Sequence, residues 1–98
     1  MKKKIMNYGN LRNKTVFDFT RDEKILKKVL SETRFEDYME NPDETIKEYK
    51  DFQISSKCEA MVEFSKIIND NKLYTALERE FKNEYSLLFW KPGELLPN

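Results

Sequence analysis

Glu36, Glu40, Asp43 and Glu44 are the side chains of this sequence whose types and spacing come nearest to chemistry. If they converged they could hold Mg²⁺, because hard cations take oxygen ligands. Glu59 and Glu63 stand i, i+4 apart and share a helix face. Carboxylates that hold Mg²⁺ on helices serve nucleotide hydrolysis, but they do so as matched pairs on facing helices. With 18 acids in 98 residues, spacings of this kind also arise by chance. Cys58, the single thiol, falls in an expected first helical turn, where a thiol pKa can drop. It also sits on an apolar stripe, and there is no histidine to act as its base, so a buried structural thiol is expected.

The missing residue types exclude more than the present ones suggest. Without histidine there is no Ser-His-Asp or Cys-His hydrolase, no His-ligated zinc and no Glu-x-x-His di-iron site. One cysteine makes neither a disulfide nor a cysteine zinc site. Gly9 and Gly93 are the only glycines, and loops that cradle phosphates rely on several. We therefore expect no catalytic residue, no metal and no cofactor.

Net charge is zero, but its distribution is uneven. Residues 1–14 carry Lys2, Lys3, Lys4, Arg12 and Lys14 without an acid. With Tyr8 as a stacking side chain, this arm has the makings of a nucleic-acid contact. A sequence pI near 6.3 argues against a dedicated nucleic-acid binder. Residues 36–51 carry Glu36, Asp37, Glu40, Asp43, Glu44, Glu48 and Asp51 against Lys47 and Lys50, a net −5. Such asymmetry steers charged partners, although charge runs are usually solvated faces. The third candidate surface is aromatic. Tyr85, Leu87, Leu88, Phe89 and Trp90 are apolar around a whole helix end, where one core requires only one stripe. Either Phe17 and Phe19 of the arm cover the excess, or Phe89 and Trp90 form a partner surface.

Three segments place an oxygen-bearing residue three positions before a glutamate, the pattern of a capping box: Thr20–Glu23, Asn41–Glu44 and Ser56–Glu59. The first predicts a helix from Thr20 with Ile25, Leu26, Val29 and Leu30 on one stripe. Phe35, Tyr38 and Met39 extend the spacing beyond a candidate break at Ser31–Thr33. Pro42 ends that segment and opens the next at N1. Ser55-Ser56 is the preferred break before a helix capped by Ser56. After the turn cluster Asn69-Asp70-Asn71, a last helix is expected from Lys72 to Phe89, stopped by Pro92-Gly93. Ile5, Met6, Tyr8 and Val16, Phe17, Phe19 allow a small β-hairpin or an extended arm across the helices.

The expectation is one mostly α domain over residues 1–98: arm or hairpin 1–19, a compact bundle of three to four helices over 20–91, and tail 92–98. No run approaches the ~20 apolar residues of a membrane span, and the basic start lacks an apolar signal core. The expected setting is cytoplasmic, the host cytoplasm if a phage encodes the chain. Fourteen lysines against four arginines hint at AT-rich coding. The functional expectation is a small non-enzymatic protein-binding module that modulates or inhibits a larger partner, with a nucleic-acid-binding enzyme as a candidate for that partner. A phage or mobile-element anti-defence protein fits that description, and a homodimer is compatible with it. The alternatives are a nucleic-acid-binding regulator using the basic arm and a Mg-dependent nucleotide pyrophosphohydrolase.

Overall fold

The computed structural model describes residues 8–89 and Gly93. Its five α-helices among the described residues are α1 (Glu23–Val29), α2 (Glu32–Glu40), α3 (Pro42–Tyr49), α4 (Ile54–Ile67) and α5 (Asn71–Phe81). Short 3-10 turns occupy Leu11–Asn13, Val16–Asp18 and Ser86–Phe89, and no described residue is in a strand. The helix count therefore exceeds the expected three to four.

α4 is the central pillar. Cys58, Ala60, Met61, Val62, Phe64 and Ser65 are all buried, so its apolar surface wraps around the axis rather than forming one stripe. A helix that is apolar on most sides has to be surrounded. α1, α5 and the Val16–Asp18 turn pack against it, and α2 and α3 pair with each other as consecutive helices joined at Asn41, α2 also meeting α1. Ser65 is tolerated in the core because its hydroxyl donates to the Val62 carbonyl at 2.7 Å.

Among the described residues of the N-terminal segment no strand of the hairpin considered above is present; residues 1–7 lie outside the described ones. Thr15 and Asp18 satisfy the local backbone instead. Thr15 Oγ1 accepts from the Phe17 N–H at 3.3 Å, and Asp18 Oδ2 accepts from the Thr15 N–H at 2.7 Å. This reciprocal cap removes the need for a partner strand and turns Val16 and Phe17 inward, where both are buried. Phe17 stacks on Tyr38 of α2 at 5.3 Å and meets Tyr49 of α3 edge-on at 5.2 Å.

Of the three capping boxes, Asn41 alone caps as expected: its Oδ1 accepts from the Glu44 N–H, with Pro42 at N1. Thr20 does not begin α1. Its own N–H is still closing the preceding turn onto the Val16 carbonyl. Asp22 caps instead, accepting from the Lys24 N–H at 2.9 Å. Ser56 does not begin α4 either; it already lies in a first turn that starts after Gln53. The break falls at residues 50–53, where Phe52 folds back onto Tyr49 and the Lys57 ammonium holds the Lys50 carbonyl. Ser31 does cap α2, accepting from the Arg34 N–H.

The last helix is shorter than expected. α5 ends at Phe81, and the chain turns through Glu84 and Tyr85 N–H bonds to the Phe81 carbonyl. A helix continued to Phe89 would have carried that ring roughly 12 Å past Phe81. The turn instead seats it, fully buried, against Tyr74 at 5.8 Å. No helix among the described residues is long and apolar enough to cross a membrane.

Candidate partner-binding surface

The α2–α3 hairpin exposes Glu36, Glu40, Asp43, Glu44, Glu48 and Asp51, with Asp37 half-buried beside them. One cation organises its inner side. Arg34 lies with its guanidinium carbon 4.0 Å from the centre of the Phe52 ring. Its Nη1 stands 3.6 Å from Asp37 and 3.7 Å from Glu48. Asp37 and Glu48 are thus partly neutralised from below. Glu36, Glu40, Asp43, Glu44 and Asp51 make no ion pair with any described residue. Glu36, Glu40, Asp43 and Glu44 do not close on one point. Among the described residues no group of three or more Cys, Asp or Glu side chains is disposed to hold a metal ion. Glu59 and Glu63 lie on α4 and line a cleft together with Arg34.

In the described part of the basic arm, Arg12, Lys14 and Tyr8 are engaged by contacts within the fold. Arg12 donates through Nε to Glu80 at 2.8 Å, bonds Glu84 through Nη2, and covers the Phe81 ring at 5.0 Å. That hydrogen bond holds the Glu84 carboxyl below its ordinary value. Lys14 lies over the Phe19 ring at 5.8 Å. The Tyr8 hydroxyl donates to Asp70, the residue whose other oxygen caps α5. Burial pushes Asp70 up, but the Tyr8 hydroxyl and the backbone N–H groups of Leu73 and Lys72 outweigh it. Its carboxyl therefore sits below the usual range. Lys2, Lys3 and Lys4 lie outside the described residues.

The aromatic surface is corrected. Phe89 is a core residue, and Trp90 lies outside the described residues. Its cover is Tyr74, while Phe17 packs on α2 and α3 and Phe19 on Phe64. Among the described residues of that cluster, Leu87 is the exposed one.

Cys58 is fully buried. Burial pushes its thiol up to about 12, with Glu59 and Glu84 adding and Arg12 opposing. Burial likewise pushes Tyr49 to about 12, Arg34 pulling down and Glu59 pushing up. Tyr8 reaches about 12 chiefly through its hydrogen bond to Asp70. All three groups bind their protons more tightly folded than unfolded. Their contribution is complete below their ordinary values of 9.0 and 10.0 and is lost as pH rises toward 12. Alkaline titration followed by circular dichroism should show cooperative unfolding in that window. In the folded state at pH 8 the thiol should react with an aromatic disulfide reagent at least ~10³-fold more slowly than in denaturant, since global opening limits access.

Arg34, Tyr49 and Phe52 are the grouping that sequence reasoning missed. They come from α2, α3 and the α3–α4 connection, and no periodicity links them. Comparison with known proteins leaves the geometry to speak for itself: no protein-family model, no curated protein and no solved structure matches the chain.

Proposed function

We propose that this chain is a small non-enzymatic protein-binding module that presents the acidic α2–α3 face to a basic surface of a larger partner, modulating or inhibiting it. The observation that carries the reading is Glu40. It ends α2 in a last turn with no basic residue, where the helix dipole favours cations. Glu36 stands one turn before it, a like-charge i, i+4 pair that costs a few tenths of a kcal/mol. Neither finds a counter-charge among the described residues. Charges that oppose the local fold and lack an internal partner suit an external one.

A basic surface long enough to face the whole hairpin is typical of nucleic-acid-binding enzymes. An inhibitor of a nuclease, encoded by a phage or mobile element against host defence, fits the size of the chain and the sign of the face. The inward-turned Arg12, Lys14 and Tyr8 disfavour the alternative of a nucleic-acid regulator.

The test is capture of partners from lysate of the source cells with the full chain as bait, followed by affinity measurements over a salt series. Affinity should fall by an order of magnitude or more between about 50 and about 300 mM salt, because exposed charges are screened over about 10 Å. A complex indifferent to salt would overturn the acidic-face reading.

A further inference from the structure

A cleft of about 490 Å³ opens between the α1–α2 junction, α3 and α4. That volume lies in the range of small-molecule sites. Two of its groups are hydrogen-bond donors that the fold leaves unused. Tyr49 is 96% buried, being 4% exposed, yet its hydroxyl meets no hydrogen-bond partner among the described residues. No fully enclosed side-chain oxygen or nitrogen lacks a partner, so this oxygen is among the few parts of the residue that reach the cleft. The Arg34 side chain is 16% exposed. Its ion pairs to Asp37 and Glu48, at 3.6 and 3.7 Å, are longer than hydrogen bonds, and its guanidinium donates none within the described residues. A partly buried guanidinium and the hydroxyl of a buried tyrosine lining one cleft form a fork suited to a carboxylate.

The same cleft is also lined by acids. Glu59 and Glu63 stand one turn apart on α4, both exposed, and Lys66 is the nearest cation to Glu63 at 3.9 Å. Lys28 adds a cation at the α1 side. The cleft is therefore lined by two cations and two acids. A simple anion would meet Glu59 and Glu63, and a simple cation would meet Arg34 and Lys28. A molecule carrying both charges can pair with both kinds of group.

We propose that this cleft binds a small zwitterion of amino-acid to dipeptide size, its carboxylate held by Arg34 and the Tyr49 hydroxyl and its ammonium by Glu59 and Glu63. The site does not rest on the acidic-face reading. Charge reversal on the outer face of α2 and α3 leaves these four groups in place, so the two ideas fail separately.

Glycylglycine is the probe, with acetate and ethylammonium as half-ligands, each titrated to about 50 mM at constant ionic strength into ¹⁵N-labelled protein. Glycylglycine should produce saturable shifts at the amides of Arg34, Tyr49 and Glu59. Each half-ligand should bind at least about tenfold more weakly, since it leaves one kind of group unpaired. Tyr49→Phe, which keeps the ring and the packing, should weaken glycylglycine about tenfold, and Arg34→Lys should do the same by losing the fork while keeping the charge. Absence of saturable shifts would overturn the site. Acetate binding as tightly as glycylglycine would overturn the zwitterion assignment, and unchanged affinity in a folded Tyr49→Phe would overturn the role of the hydroxyl.

Discussion

Phe17→Ala should destabilise the protein by about 3–5 kcal/mol, the usual cost of truncating a buried phenylalanine. The expectation rests on where the ring sits. Phe17 is 3% exposed and belongs to a turn of three residues held in place by the Thr15–Asp18 cap. It stacks on Tyr38 and meets Tyr49 edge-on, so one side chain from the N-terminal segment joins α2 to α3. Such ring pairs add about 0.5–1.5 kcal/mol beyond area burial. Small domains hold about 5–15 kcal/mol in total, so the variant should sit close to its unfolding transition at room temperature. Urea denaturation should show the midpoint falling with little change in slope. Hydrogen exchange should show the α2–α3 hairpin opening before α4 and α5. Phe19→Ala is the contrast: Phe19 is only half-buried, and its main ring contact is Phe64 at 6.1 Å. Its cost should be clearly smaller. Equal losses in the two variants would mean that Phe17 is not the tie between turn and hairpin.

The second large effect concerns binding. Reversing Glu36, Glu40, Asp43 and Glu44 to lysine turns segment 36–51 from net −5 to net +3. Against a basic partner this replaces attraction with like-charge contact, which costs several kcal/mol. Affinity for the captured partner should fall at least about 100-fold. Glu48 is left alone because it pairs with Arg34. Asp43 and Glu44 occupy the first turn of α3, where lysine costs about 0.3–1 kcal/mol each, so loss of fold must be kept apart from loss of binding. Glu40→Lys alone makes that separation. It places a cation at the end of α2 and converts the Glu36–residue 40 repulsion into a favourable i, i+4 pair. The variant should be more stable by roughly 1 kcal/mol and yet bind the partner about tenfold more weakly. Thermal melts read the first quantity and a salt-matched titration reads the second. A variant that loses stability, or that binds as well as the parent, contradicts the assignment of Glu40 to a partner.

The elements whose cause is local were legible from the residues. Asn41-Pro42 works wherever it stands, because a missing N–H and a short side-chain oxygen act within one turn. The Ser31–Thr33 break was legible for the same reason: Ser31 caps α2 with its own hydroxyl. The acidic run on α2 and α3 was readable as a charge count, and exposure of six of its seven members leaves that count on the surface. The absence of histidine and the presence of only two glycines argue from composition alone against whole classes of site.

The same local pattern misled where a neighbour in space competed for it. Thr20 does not cap α1 because its hydroxyl accepts from the Asp22 N–H while its own N–H closes the Val16 turn, and Ser56 does not cap α4 because that helix has already begun at Ile54. A capping box states what a backbone would accept, not what an adjoining segment has already taken. The arm shows the limit most sharply. Its positive charges were visible in the sequence, but whether Arg12 faced phosphate or Glu80 and Glu84 depended on α5 passing beside it. Likewise the run from Tyr85 to Phe89 read as one helix until the burial of Phe89 required a turn after Phe81. Composition and short-range stereochemistry determined that this chain is helical, where α2 and α3 begin and where its acids lie. Only tertiary packing decided which charges are spent internally, and only packing brought Arg34, Tyr49, Glu59 and Glu63 from three helices to one cleft. The reason is physical: a cap or a proline acts over about one turn, whereas ion pairs and clefts form between residues whose sequence separation carries no signal of their distance.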